Sequence, residues 1–131
     1  MTDLVTESLE HAAEVAGDIT PAVYAKYFER CPASRSLMLY IDDTVRGRML
    51  QEVLRLFFEA DVAKEQAYLH FETHTHRGYG VEPAMYRHLF SALRDTVREA
   101  LADAWNADYA AAWEAREAKL LRAIDEAVTS P

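Results

Sequence analysis

Three histidines fall within seven positions of the stretch HFETHTHRGYGV, which runs from residue 70 to residue 81. Imidazole nitrogens are common metal ligands, so this spacing raises the question of a metal site. On a helix that turns about 100° per residue, His70 and His74 share a face, whereas His76 lies about 200° from His74. The three side chains therefore cannot bind one ion from a regular helix.

Each part of this cluster has a plainer interpretation. A zinc site built on His70 and His74 needs a further ligand from elsewhere, and no cysteine lies nearby, so both are expected to be solvated polar residues. His76 is either a single ligand presented from the end of a helix or a polar residue whose cationic form is favoured by the helix C-terminus.

The elements that position these residues follow from breakers that separate segments of helical period. Apolar residues recur every three to five positions, whereas no segment alternates with period two, so strands are not expected. We predict an all-α protein of about six to seven helices, with the two long C-terminal helices as an antiparallel pair. The first, fifth and last helices are expected over about 3–16, 62–76 and 106–127. The second is expected to have Thr20 as its N-cap, before Pro21, and to end at Pro32, which opens a short third helix that ends near Leu39. The fourth helix is expected to be capped by Asp42 or Asp43, and the sixth to begin at Pro83. The apolar face of the fourth helix is expected at Leu50, Val53, Leu54, Phe57 and Phe58.

Composition bounds the class of protein. A chain of 131 residues, half of them hydrophobic, predicts a single domain over residues 1–131. The formal charge of -8 argues against nucleic acid as a partner. The acidic N-terminus and the lack of an apolar run of about twenty residues predict a cytoplasmic protein without a membrane anchor. The lone Cys31 excludes an internal disulfide and is interpreted as a small buried apolar residue, and a homodimer is left open.

The run HRGYGVEPAMYRHLFSALRD resembles one region of bacterial single-domain haemoglobins and of the globin domains of flavohaemoglobins. In that region the haem-ligating proximal histidine is followed by a Gly-Val or Gly-Ile step, a proline-started helix and a tyrosine. The matching positions here are His76, Gly80, Val81, Pro83 and Tyr86. The resemblance implies a globin-like fold, three helices on three around a haem pocket, with His76 as the iron ligand.

A second block, from Val5 to Met38, resembles the first three helices of the same family without a gap. It places Tyr24 at the tyrosine that faces bound gas from the distal side. The segment RGRMLQEVLRLF then resembles the distal helix, with Arg46 facing the ligand and Leu50 one turn on. The sequence leaves open whether Arg46 or a neighbour such as Met49 occupies the pocket. Apolar contacts to the porphyrin are implied for Leu50, Val81, Leu89 and Leu93, all of which would be core residues in any all-α protein.

The sequence departs from the family pattern at two positions. Met38 stands where the family has a haem-stacking phenylalanine, which keeps an apolar contact but removes a rigid ring. Glu72 shares the face of His76, one turn before it, where the family usually has an apolar residue. The family's glutamate on the last helix has no match in register, since Val128 is at that position and Glu126 lies two residues away, although Tyr86 matches its partner tyrosine.

The resemblance implies a non-covalent haem b, since the single cysteine leaves no C-x-x-C-H attachment motif. A neutral imidazole would bind the iron on one side, and Tyr24 or Arg46 would donate a hydrogen bond to a gas ligand on the other. The expected function is reversible binding of oxygen, nitric oxide or carbon monoxide. Two alternatives remain: nitric oxide dioxygenation, which needs a separate reductase, and a sensor or interaction module, either haem-based or without haem.

Overall fold

The protein is built entirely from helices in the computed structural model, which describes residues 3–131. This confirms the predicted all-α, globin-like fold. The α-helices are α1 (Leu4–Ala16), α2 (Thr20–Arg30), α3 (Pro32–Leu37), α4 (Asp43–Phe58), α5 (Gln66–Gly78), α6 (Pro83–Leu101) and α7 (Ala107–Thr129), with short 3-10 turns at Val62–Glu65 and Ala102–Ala104. None of these helices, within residues 3–131, is both long enough and apolar enough to cross a membrane.

Side-chain caps start three of the helices. Asp42 accepts a hydrogen bond from the backbone N–H of Val45, so the cap predicted for the fourth helix is confirmed. Asp3 caps α1 and Asn106 caps α7 in the same way. The prediction of Thr20 as a cap is wrong, because Thr20 is already helical and its N–H donates to the carboxylate of Asp18.

The fifth helix begins later and ends later than the sequence predicted. Its expected first turn, Val62–Glu65, is a 3-10 segment that the ion pair between Arg55 and Glu65, at 2.7 Å, fastens to α4. At the other end α5 continues through Gly78, and the chain then turns at Gly80, whose φ of 95° lies in the region that favours glycine. The N–H of Val81 donates to the carbonyl of His76 at 3.0 Å, which closes the helix end.

Large aromatic side chains join the helices in the core. Phe57 of α4 packs edge-on against Phe90 of α6 and also against Trp113 of α7, with ring centroids 5.1 Å apart in both pairs. The indole N–H of Trp113 donates to the hydroxyl of Ser8 at 2.8 Å, so α1 joins the same cluster. Phe58 was expected on the apolar face of α4, but it is exposed because that face turns inward at Phe57.

The helices can be grouped into two sets of three that contact one another. α1 packs against α4, α6 and α7, α2 against α4 and α6, and α5 and α6 each against α7. With α1, α4 and α5 as one set and α2, α6 and α7 as the other, the contacts between the sets join α1 to α6 and α7, α2 to α4, and α5 to α7. Side chains of α4 and α5 both line one apolar cavity of this arrangement.

Candidate functional site

The cavity between α4 and α5 has a volume of about 520 Å³. That size lies within the usual range of about 300 to 1,000 Å³ for small-molecule and cofactor sites. Its walls are mainly aliphatic and aromatic side chains, and they include two glutamates but no lysine or arginine. The wall residues are Tyr24, Tyr27, Ser34, Leu37, Met38, Ile41, Met49, Glu52, Val53, Leu56, Tyr68, Leu69, Glu72, Thr73, His76, Tyr79, Val81, Met85, Tyr86, Leu89, Phe90 and Ile124.

His76 projects into this cavity from the last turn of α5 and is about one-third exposed. Its Nδ1 lies 2.7 Å from the backbone carbonyl oxygen of Glu72, one turn earlier on the helix. A carbonyl oxygen only accepts hydrogen bonds, so Nδ1 carries the proton and donates it. The Nε2 atom is therefore the unprotonated nitrogen of the neutral ring, and its lone pair is available to a metal ion.

The Glu72 side chain lies on the same face of α5. Its Oε2 atom is 3.6 Å from Nδ1 of His76, within ion-pair distance but longer than a hydrogen bond. Glu72 also lines the cavity. The four-residue spacing in the sequence indicated that Glu72 and His76 share a face, but it did not indicate what the Glu72 carboxylate contacts. In the structure the carboxylate lies beside His76.

Tyr24 reaches the cavity from α2 and is buried. Burial raises the pKa of its hydroxyl to about 12, and the nearby Tyr27 adds to the rise while Arg46 opposes it. The hydroxyl therefore keeps its proton at neutral pH. It donates to the backbone carbonyl of Arg46 at 3.3 Å, a long contact that leaves it able to turn toward a better acceptor.

The Arg46 side chain does not line the cavity. Its Nη2 donates to the carbonyl of Met38 at 2.8 Å, its guanidinium lies 5.0 Å from the ring centre of Phe28, and its Nε is buried without a partner. The cavity side of α4 is instead formed by Met49, together with Val53 one turn further on. The predicted role of Arg46 as a ligand-facing residue thus receives no support from the lining of the cavity.

The other residues that the sequence predicted for the site divide into those that line the cavity and those that do not. Met38, Val81, Tyr86 and Leu89 line the cavity, as do Tyr24 and His76. Leu50 and Leu93 are fully buried elsewhere in the core and do not line it. Several wall residues were not singled out from the sequence, among them Leu69 and Thr73, which share the face of His76 at the helical spacing of seven and three residues.

His70 and His74 contact a different part of the protein. Their Nε2 atoms lie 3.0 and 3.1 Å from the backbone carbonyl oxygens of Pro131 and Ala127, at the C-terminal end of α7. Both side chains are half-buried, so they are partly solvated as expected and also contact backbone carbonyls. This pair fastens α5 to α7, while His76 alone faces the cavity, as the helical geometry of the sequence predicted.

Comparison with known proteins gives two curated relatives. Both are named anaerobic nitrite reductase NSHB5, one from Oryza sativa subsp. indica and one from Oryza sativa subsp. japonica, and each is 24% identical over 131 residues, covering 95% of this chain and 90% of the relative. No family model matches the chain. The similarity extends over nearly the whole length of both chains, and the all-helical structure is consistent with the globin-like fold that the sequence predicted.

Proposed function

We propose that the protein binds a non-covalent haem b in the cavity between α4 and α5 and reversibly binds oxygen or another diatomic gas there. The observation that carries this proposal is the geometry of His76. Its Nδ1 proton is held by the carbonyl of Glu72 at 2.7 Å, which leaves Nε2 as the donor atom toward the apolar cavity. The globin resemblance supports haem as the group that this nitrogen binds.

The residues present suit a flat apolar cofactor. Aliphatic side chains such as Val53, Val81 and Leu89 come from three different segments of the chain, and Met38 offers an adaptable thioether contact. These contacts would exclude water from the iron, so that the His76 imidazole would be the one protein group that binds it. Haem would supply an iron with one open coordination position for a gas, while the protein supplies the fifth ligand.

On the side of the cavity formed by α2, the Tyr24 hydroxyl is the proposed hydrogen-bond donor to the gas. Because its pKa is raised to about 12, the hydroxyl keeps the proton that it would donate to the gas. Hydrogen bonds to a charged acceptor contribute about 1.5 to 3 kcal/mol. Tyr24 would thus favour oxygen, which gains negative charge on binding, over carbon monoxide, which gains little.

The test is the absorption spectrum of the purified, haem-reconstituted protein. We expect a strong Soret band that shifts when the reduced protein is exposed to carbon monoxide, and a loss of that spectrum in His76→Ala. His74→Ala is the matched control, since His74 lies two residues away but contacts α7 instead of the cavity. A wild-type protein without a Soret band after reconstitution, or a His76→Ala spectrum equal to that of the wild type, would contradict the proposal.

Enzymatic nitrite reduction is a second candidate, because the curated relatives carry that activity in their name. The reaction adds one electron and two protons to nitrite and gives nitric oxide and water, so it requires an external reductant. The cavity walls contain Glu52 and Glu72 but no lysine or arginine, an arrangement that favours neutral gases over an anion. Nitric oxide dioxygenation, the alternative raised by the sequence, uses two neutral gases and one electron from a separate reductase.

Stopped-flow kinetics separate these candidates. The reduced protein is mixed with nitrite in one experiment, and the oxygenated protein with nitric oxide in the other. If gas binding is the function, neither reaction should continue past one turnover when common reductants are supplied. Sustained formation of nitric oxide or of nitrate would favour the corresponding enzyme.

A further inference from the structure

The carboxylate of Glu72 is placed to act on the His76 ring. Both residues lie on α5 four positions apart, and Oε2 of Glu72 is 3.6 Å from Nδ1 of His76. The same Nδ1 already donates to the backbone carbonyl of Glu72 at 2.7 Å. One residue therefore presents both a carbonyl dipole and a carboxylate to the same edge of the imidazole.

No cation competes for this carboxylate. Among residues 3–131, His76 is the one basic side chain within ion-pair distance of Glu72, whereas the other carboxylate of the cavity, Glu52, pairs with Arg55 at 3.2 Å. The two glutamates thus give the cavity charges of the same sign but with different partners. Only the charge of Glu72 is directed at the histidine.

The charge of Glu72 also extends into the cavity. Burial raises the pKa of Tyr86 to about 12, and the proximity of Tyr27, Glu72 and Tyr68 adds to the rise. Glu72 likewise contributes to the raised pKa of Tyr68, after burial and Glu52. The Tyr68 hydroxyl donates to Glu52 instead, so it does not neutralise the Glu72 carboxylate.

We propose that Glu72 is a positioning residue for His76, which uses its carbonyl to fix the ring and its carboxylate to increase the electron density that Nε2 presents to the iron. Negative charge near Nδ1–H makes the opposite nitrogen a stronger donor, as carboxylates behind metal-bound histidines do. With haem bound, the stronger donor would favour ferric over ferrous iron and tighten the iron–nitrogen bond. This inference rests on the proposed function.

The test uses Glu72→Gln, which keeps the shape and the helix but removes the charge, and Glu72→Leu, which also removes the polar group. In the reduced, haem-loaded variants we expect the iron–histidine stretching band of the resonance Raman spectrum to move to lower frequency. We also expect the midpoint potential to rise, with the ferric-to-ferrous equilibrium constant shifting roughly three- to tenfold toward ferrous iron, a tenfold shift being about 59 mV for one electron. Glu52→Gln removes the same charge from the same cavity and should leave the stretching band in place.

The outcomes separate this inference from the proposed function. If wild-type protein binds no haem, the proposed function fails. If haem binds and Glu72→Gln has the stretching band and the potential of the wild type, only the inference is overturned. A haem-free readout tests the underlying geometry: nitrogen-15 NMR of the histidine side chains should show His76 protonated at Nδ1, and a ring protonated at Nε2 would also overturn the inference.

Discussion

Tyr24 is the residue whose chemistry is most directly testable, because its hydroxyl is the buried donor proposed for the gas. We predict that Tyr24→Phe speeds oxygen dissociation from the reduced, haem-loaded protein by roughly tenfold or more, since a hydrogen bond of about 1.5 to 3 kcal/mol is lost. Carbon monoxide dissociation should change far less. Stopped-flow displacement of oxygen by carbon monoxide measures the first rate, and displacement by nitric oxide the second.

Tyr27→Phe is the matched control for this prediction. Tyr27 is also buried and also lines the cavity, but its hydroxyl accepts a hydrogen bond from Ser34 at 2.6 Å. The control variant should keep an oxygen dissociation rate within about twofold of the wild type. Equal effects of the two substitutions would show that cavity packing, not the Tyr24 donor, sets the rate.

Arg46 has a structural role in this protein, since its guanidinium binds the carbonyl of Met38 and lies over the ring of Phe28. We predict that Arg46→Ala lowers the free energy of unfolding by about 1 to 2 kcal/mol, because a hydrogen bond from a charged donor and a cation–π contact are both lost. Carbon monoxide association should stay within about twofold of the wild type. Urea unfolding and flash photolysis give the two quantities.

Arg48→Ala provides the comparison, since Arg48 lies on the same helix and is exposed. Its unfolding free energy should change by no more than about 0.5 kcal/mol. If Arg46→Ala leaves stability unchanged and alters carbon monoxide association instead, its guanidinium reaches the cavity and the sequence-based role is restored.

Helix α4 shows how far the sequence specifies an element. Its start at the Asp42 cap follows from the pattern, because caps and apolar spacing are local properties. The face toward the cavity does not follow, since α4 carries two apolar stripes. Leu50 and Phe57 belong to the stripe that is buried in the core, whereas Met49 and Val53 line the cavity.

Helix α5 shows which features of a candidate site the sequence can predict and which it cannot. The spacing of the histidines was enough to separate His76 from His70 and His74, because that argument needs only the helical turn. The hydrogen bonds of His70 and His74 to the end of α7 join residues more than fifty positions apart. Such contacts depend on how whole helices pack, and no local pattern in the sequence encodes them.

The contact between α6 and α7 contains a buried carboxylate, Glu117, that is expected to make stability depend on pH. Burial raises the pKa of Glu117 to about 7, against the opposing effect of Arg94, whose guanidinium donates to Oε2 at 2.9 Å. The other oxygen, Oε1, is buried without a partner, which makes it the atom where a proton is favoured. The folded protein therefore binds this proton more tightly than the unfolded chain, where the pKa is near 4.5.

The sign of the effect follows from this difference. A raised carboxyl pKa means that the free energy of unfolding falls as the pH rises from about 4.5 to about 7 and then levels off. We predict that Glu117→Gln, which cannot ionise, gains about 1 to 3 kcal/mol relative to the wild type between pH 5 and pH 8. Urea unfolding at both pH values measures the gain.

Glu126→Gln is the control for the pH prediction, because Glu126 lies on the same helix and is exposed. Its stability should follow that of the wild type at both pH values. If Glu117→Gln and the wild type keep a constant difference between pH 5 and pH 8, the Glu117 carboxyl is not protonated in the folded protein near neutral pH.

At the scale of the whole molecule, the helices enclose an apolar cavity of about 520 Å³. An apolar cavity without a ligand removes packing contacts that would otherwise stabilise a chain of this size. A ligand that binds the folded state alone stabilises it in proportion to its affinity. The fold and the proposed cofactor are thus thermodynamically linked, and the linkage can be measured without any assay of gas binding.

We predict that haem raises the midpoint temperature of unfolding on the order of 10 °C when free haem exceeds its dissociation constant about a thousandfold, which corresponds to about 4 kcal/mol. Iron-free protoporphyrin IX fills the same apolar space but cannot bind His76, so it should give a smaller rise. His76→Ala should reduce the rise caused by haem to that caused by the iron-free ring, and should leave the effect of the iron-free ring unchanged. Calorimetry of the four combinations separates the contribution of burial in the cavity from that of the iron–histidine bond. Equal rises for haem in the wild type and in His76→Ala would show that the cavity alone retains the cofactor and that His76 is not its ligand.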